Sequence, residues 1–144
     1  MSRRQHGTRW LLAAALALAA AGAQAGIAVI VNPQAGVERL SKAQVKAIFL
    51  GKRKKLPSGE AAQPVNQEES SPLYAAFAKK VLGKSPARLK SYWSAQIFSG
   101  RATPPKAVEG DEAVKRFVAS TPGGIGYVDS AAVDGSVRVV LEVE

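Results

Sequence analysis

The chain contains no cysteine, and its single histidine is His6, close to the start. The first absence rules out disulfides, a thiol nucleophile and a lipid-anchored cysteine. If His6 is removed with a cleaved leader, no zinc site of the His/Cys kind and no histidine-based triad can be built from the rest. Aromatic residues are scarce at 6%, and no apolar run reaches the roughly 20 residues that cross a bilayer. What remains is carboxylate, lysine, tyrosine or serine chemistry, and no such nucleophile stands beside a credible base. The reading is therefore not an enzyme, with no catalytic residue, no metal and no cofactor expected.

The first 25 residues have the three parts of a secretory signal. Arg3, Arg4 and Arg9 supply a positive start, Leu11 to Ala21 is an unbroken run of Leu and Ala, and Ala23-Gln24-Ala25 offers small residues to a signal peptidase. Cleavage is expected after Ala25, which places the mature chain in the periplasm or outside the cell, without a membrane span. Ser2-Arg3-Arg4 hints at twin-arginine export, but Gln5-His6-Gly7 follows where apolar residues belong, so general secretion fits better. Residues 26–144 suit one domain with its own core. They carry 17 basic and 11 acidic side chains, a net of +6, which favours anionic partners. A solvated basic surface is the plainer account of the same charge. The interleaved aromatic and basic pattern of nucleic-acid readers is missing, so no nucleic acid is expected.

Along this domain, Ile27-Ala28-Val29-Ile30-Val31 is a continuous β-branched run stopped by Asn32-Pro33, which predicts a strand buried on both faces. Ser41 caps a helix to about Leu50, with Val45, Ile48 and Phe49 inward and Gly51 at the left-handed position after it. Lys52-Arg53-Lys54-Lys55 then lies at the negative end of that helix, where cations are favoured. Leu56-Pro57-Ser58-Gly59 is a turn, and Gln63 to Asn66 a short strand. Ser70-Ser71-Pro72 starts a second helix with Leu73, Phe77, Val81 and Leu82 inside, ended by Gly83. Ser85-Pro86 opens a third, in which Leu89, Trp93 and Ile97 stack beside Tyr92 as core. Gly100 stops it, and Thr103-Pro104-Pro105 forms a stiff loop. Asp111 to Ser120 is a fourth helix with Val114, Phe117 and Val118 inward. Strands at Ile125–Val128 and Val137–Val143 complete an α/β class, one compact domain with a central sheet flanked by about four helices.

Four segments in this order resemble the phosphate-binding components of bacterial ABC importers. They are Val31-Asn32-Pro33; Ser41 to Gly51 with its Ile48-Phe49-Leu50-Gly51-Lys52 ending; Tyr92-Trp93 with Phe98-Ser99-Gly100 and Pro104-Pro105; and Gly124-Ile125-Gly126-Tyr127. The nearest likeness is to short secreted proteins of the phosphate-transporter substrate-binding type. The resemblance implies a type 2 periplasmic binding protein fold, of which this chain has the extent of a single lobe with its crossing strands. In that family a loop carries arginine, serine, glycine and threonine at a helix start to grip the oxyanion. Aligned on Phe77, Ser71 matches the serine, but Gln67 stands for the arginine, Ser70 for the preceding glycine and Leu73 for the threonine. Pro72 replaces the glycine after the serine and removes an N–H donor, while Glu68 and Glu69 stand nearby and repel anions.

The candidate ligand-binding residues are thus Ser70, Ser71, Gln67 and Asn32, around a helix N-terminus that takes a small oxyanion such as phosphate. N-capping explains Ser70 and Ser71 equally simply. Two functions stay open: a periplasmic solute-binding module with weak oxyanion binding, and a ligand-free envelope protein that docks to a protein partner or an ABC transporter. Pairing as a homodimer would rebuild a two-lobed cleft.

Overall fold

The computed structural model describes residues 26–144. The leader read over residues 1–25, with its arginines and His6, lies outside the described residues. Five strands and four helices follow in order: β1 (Ile27–Val31), α1 (Lys42–Phe49), β2 (Gln63–Gln67), α2 (Pro72–Lys80), α3 (Pro86–Phe98), β3 (Lys106–Val108), α4 (Gly110–Ser120), β4 (Gly124–Asp129) and β5 (Arg138–Val143). Among the described residues no helix is long and apolar enough to cross a membrane.

The helix starts form as the sequence dictates. Ser41 and Gln44 make a reciprocal capping box on α1, with Gln44 N donating to Ser41 Oγ at 3.1 Å and Ser41 N to Gln44 Oε1 at 2.8 Å. Ser71-Pro72 and Ser85-Pro86 open α2 and α3 with a serine cap followed by proline. Gly51 follows α1 with φ of +74°, a conformation open to glycine and strained for other residues.

All strands join one sheet in the order β3-β2-β4-β1-β5. The β1 strand lies between β4 and β5 and runs antiparallel to both, whereas β2 is parallel to β3 and β4. Every residue of β1 is buried. Its alternate side chains serve two cores, as the period of a strand requires. On one face Ile27, Val29 and Val31 meet the helices α1, α2 and α3; on the other Ala28 and Ile30 meet Val114 and Val118 of α4. The larger core centres on Phe77 stacked on Tyr127, ring centroids 3.8 Å apart and 7° from parallel, with Phe49 edge-on to Phe77 at 4.9 Å. Gly126 allows α4 its close approach to β4, because a Cβ there would lie 2.6 Å from Val114 Cγ1 and 2.8 Å from Val65 Cγ1.

One expectation needs correction. Ile97 does not continue the buried stack of Leu89 and Trp93: it is 54% exposed, and Phe98 beside it is 96% exposed. The reason is length. With 13 residues against 9, α3 extends roughly 6 Å further than α2, so its last turn outruns its neighbour. After Pro104-Pro105, where the sequence reading assigns no element, Lys106–Val108 pairs with Val65–Gln67 as the edge strand β3. Prolines beside a short, exposed edge strand cost no ladder hydrogen bond, and three residues carry too little pattern to announce it.

Candidate functional site

The end of β2 delivers Gln67 into a polar knot. Only 2% of Gln67 is exposed, so every polar atom of its amide must find a partner inside the protein. Its Nε2 donates to Asp111 Oδ1 at 2.7 Å and to the Tyr127 carbonyl at 3.2 Å, and its Oε1 accepts the Ser71 hydroxyl proton at 2.7 Å. The Gln67 backbone N–H donates to Tyr127 Oη at 3.3 Å, and the Tyr127 hydroxyl in turn donates to Asn66 Oδ1. Burial raises the Tyr127 phenol well above its ordinary value, which keeps it a neutral O–H donor.

Ser71, with its hydroxyl proton on Gln67, accepts at Oγ from Leu73 N at 3.2 Å. The rest of the α2 start is equally occupied. Ser71 N donates to the Glu68 carbonyl at 2.9 Å, Tyr74 N donates to the Ser71 carbonyl at 3.1 Å, and Pro72 has no N–H. A helix start normally presents unsatisfied N–H groups to an anion; here these donors are occupied or missing. In front of them lies an open depression of about 320 Å³ lined by Gln67, Ser71, Leu73, Asp111 and Asp129. Asp111 and Asp129 bring two carboxylates to this lining. Asp111 belongs to the first turn of α4, where an acid suits the helix dipole, and Asp129 Oδ1 accepts from Ala131 N at 2.9 Å.

Of the four residues chosen from sequence, Gln67 and Ser71 are therefore in contact. Ser70 is exposed next to Ser71. Asn32 is elsewhere: its N–H donates to the Gly124 carbonyl, at the end of β4 opposite Asp129. The strand β4 spans roughly 16 Å. There the Asn32 side chain closes the C-terminus of α4, with Nδ2 within 3.1–3.2 Å of the carbonyls of Val118, Ala119 and Thr121 and Oδ1 accepting from Gln34 N at 2.9 Å. Asp111 and Tyr127 were missed as partners of Gln67, and Asn66 as the acceptor of the Tyr127 hydroxyl. Asp111 reads in sequence only as a helix-start acid, and nothing local tells that it faces β2. The cations Lys52 to Lys55 are all exposed. Among the described residues no three His, Cys, Asp or Glu side chains gather as metal ligands would.

Known proteins resemble this arrangement on the scale of the fold. The profile of the PBP superfamily domain matches residues 22–139. The phosphate-binding protein PstS of Bacillus subtilis is 33% identical over 109 residues, which cover 72% of this chain and 31% of that protein. A phosphate ABC transporter type substrate-binding protein of Clostridium perfringens, solved with phosphate bound, superposes with a TM-score of 0.66 at 25% identity, over 81% of this chain and 44% of its own. An ABC-type phosphate transport receptor of Vibrio cholerae gives 0.64 at 20% identity, over 81% and 45%. The chain spans less than half the length of each of these relatives. Its single sheet and four helices match one lobe of such proteins, and this chain belongs to the PBP superfamily.

Proposed function

We propose that this chain is an exported binding-protein-like module of the cell envelope that acts by docking to a protein partner, with the phosphate position of its relatives closed. The observation that carries this reading is the occupancy of the α2 start. Ser71 gives its proton to Gln67, the neighbouring N–H groups are bonded or absent, and Asp111 and Asp129 line the space an oxyanion would enter. A charged hydrogen bond contributes about 1.5–3 kcal/mol, so an arginine position filled by a neutral, fully bonded Gln67 removes a large part of any anion affinity. Docking is supported by Phe98 and Ile97, which protrude at the end of α3 beside the exposed cation Arg101. An apolar tip next to a positive charge suits an acidic protein surface, and an ABC transporter subunit or a second copy of the chain is the natural candidate.

The alternative is weak oxyanion binding at Ser70 and Ser71, supported by the relatives that carry phosphate in their names. Melting temperatures in the presence of millimolar phosphate, sulfate and related anions at fixed ionic strength separate the two. Docking without a ligand at α2 predicts no anion-selective rise. A rise with one anion that disappears in the Ser70→Ala/Ser71→Ala double variant overturns it in favour of the oxyanion reading.

A further inference from the structure

A second groove lies on the other side of Gln67, between the end of β2, α3 and the Pro104-Pro105 loop, with a volume of about 310 Å³. Small-molecule sites begin at about this size. Three side chains that line it are 8% exposed each: Asn66, Tyr74 and Trp93. Among the described residues, no side-chain N or O that is fully shielded from solvent lacks a hydrogen-bond partner.

The orientation of Asn66 follows from the relay beside it. Gln67 N–H donates to Tyr127 Oη, whose own proton goes to Asn66 Oδ1. That fixes the oxygen of Asn66 inward and turns Nδ2 outward to the groove. No protein group among the described residues accepts from Asn66 Nδ2, and none bonds Tyr74 Oη or Trp93 Nε1. Asn66 and Tyr74 thus bring two donors on largely buried side chains to the lining of one groove, where solvent reaches them. Burial and then the Glu69 carboxylate raise the Tyr74 phenol, which keeps it protonated and a donor. At the rim stand Glu69 and Lys90, one of each sign, and neither forms an ion pair with a described residue. The remaining wall is mainly apolar, with the indole of Trp93 and the exposed Ile97; its polar members are engaged within the protein, Ser94 Oγ donating to the Lys90 carbonyl and the Gln67 amide bonded to Asp111 and Ser71.

An inorganic anion would use the donors but leave the apolar wall and Glu69 unmatched. A hydrocarbon would leave the Asn66 and Tyr74 donors and two charges unmatched. The set calls for a carboxylate, an ammonium and an apolar group on one small frame. We propose that this groove binds a free α-amino acid with an apolar side chain: the carboxylate on Asn66, Tyr74 and Lys90, the ammonium on Glu69, the side chain against Trp93 and Ile97. The site is separate from the depression at Ser71 and independent of whether that depression takes an anion.

Trp93 makes the test direct. The chain has two tryptophans, Trp10 in the leader expected to be cleaved and Trp93, so the mature protein, or the full chain carrying Trp10→Phe, reports on the groove alone through its fluorescence. L-leucine is titrated to about 10 mM, a range that captures millimolar affinities, against 4-methylpentanoate, which lacks the ammonium, and isopentylamine, which lacks the carboxylate. The expected result is a saturable change with leucine. Loss of one charged partner weakens binding roughly tenfold or more, both in the two analogues and in the Glu69→Gln and Lys90→Gln variants, whose exposed side chains leave the fold intact. No saturable change in the unaltered groove overturns the site. Equal response to 4-methylpentanoate, or unchanged leucine affinity in both variants, overturns the assignment to an amino acid. Phosphate in the same titration leaves Trp93 unchanged; saturable competition by phosphate also overturns it.

Discussion

Ser71 gives its hydroxyl proton to Gln67 Oε1 across 2.7 Å, and so locks the start of α2 to the end of β2. Gln67 passes the connection on to Asp111 at the start of α4 and to Tyr127 in β4. One amide thus ties together two helix starts and two strands.

Replacing Gln67 by alanine leaves the Tyr127 carbonyl and the Ser71 hydroxyl without their buried partner. Each unsatisfied buried group costs about 1–3 kcal/mol. Gln67→Ala is expected to lose about 2–4 kcal/mol in urea denaturation, against about 1 kcal/mol for Ser71→Ala, which removes a cap. Equal losses in the two variants would show that Gln67 matters only through Ser71.

Asn32 is expected to prove structural. Asn32→Ala uncovers the carbonyls of Val118, Ala119 and Thr121, and should cost about 1–3 kcal/mol. Asn32→Asp should cost more, because a carboxylate would face those carbonyls at the negative end of a helix. The check is a pair of denaturant curves; an aspartate variant as stable as the parent would refute the capping role.

Gly126→Ala drives a methyl into Val114 and Val65. Overpacking of this kind costs about 1–3 kcal/mol. The double variant Gly126→Ala/Val114→Ala makes room, and it should be less destabilised than the two single losses added together. Simple additivity would mean that the clash is relieved elsewhere.

The cluster around Asp134 gives a pH dependence. Hydrogen bonds from Lys115 at 2.8 Å and from Ser136 hold the Asp134 carboxyl well below its usual range, and Lys115, bonded also to Glu112, is raised. A lowered folded value means that Asp134 stabilises the fold above its unfolded value near pH 4 and loses this as pH falls through the folded value. Melting temperature should therefore drop more steeply below about pH 4 in the parent than in Asp134→Asn. Parallel acid limbs would rule the contribution out. Lys115 has the opposite sign, contributing below its ordinary value and losing that contribution at strongly alkaline pH.

Much of the architecture was legible because its signals are local. A β-branched run between Ile27 and Val31 marks burial on both faces, and serine–proline pairs mark the starts of α2 and α3. The direction of the strands beside β1 was not, since an apolar run reports burial and says nothing of the neighbours' polarity. Ile97 obeys the helical spacing of Leu89 and Trp93, yet spacing along one helix cannot tell that the surface it packs on ends first. The candidate site shows the same division. Ser71 and Gln67 stand four residues apart and were found together, whereas Asp111 and Tyr127 are 44 and 60 residues from Gln67. Asn32 was drawn in by a resemblance in sequence, and its four bonds to the end of α4 and to Gln34 explain it by folding alone.

In the sheet, Ile27 lies directly opposite Val143, with β1 and β5 side by side. The first and last strands of the domain are therefore neighbours, about 5 Å apart across one ladder. A unit whose two ends leave from the same spot can be spliced into a surface loop of a host protein with almost no stretching of either partner, or be re-ended elsewhere by joining those ends with a short linker. The arrangement makes this fold portable as one uninterrupted stretch of chain.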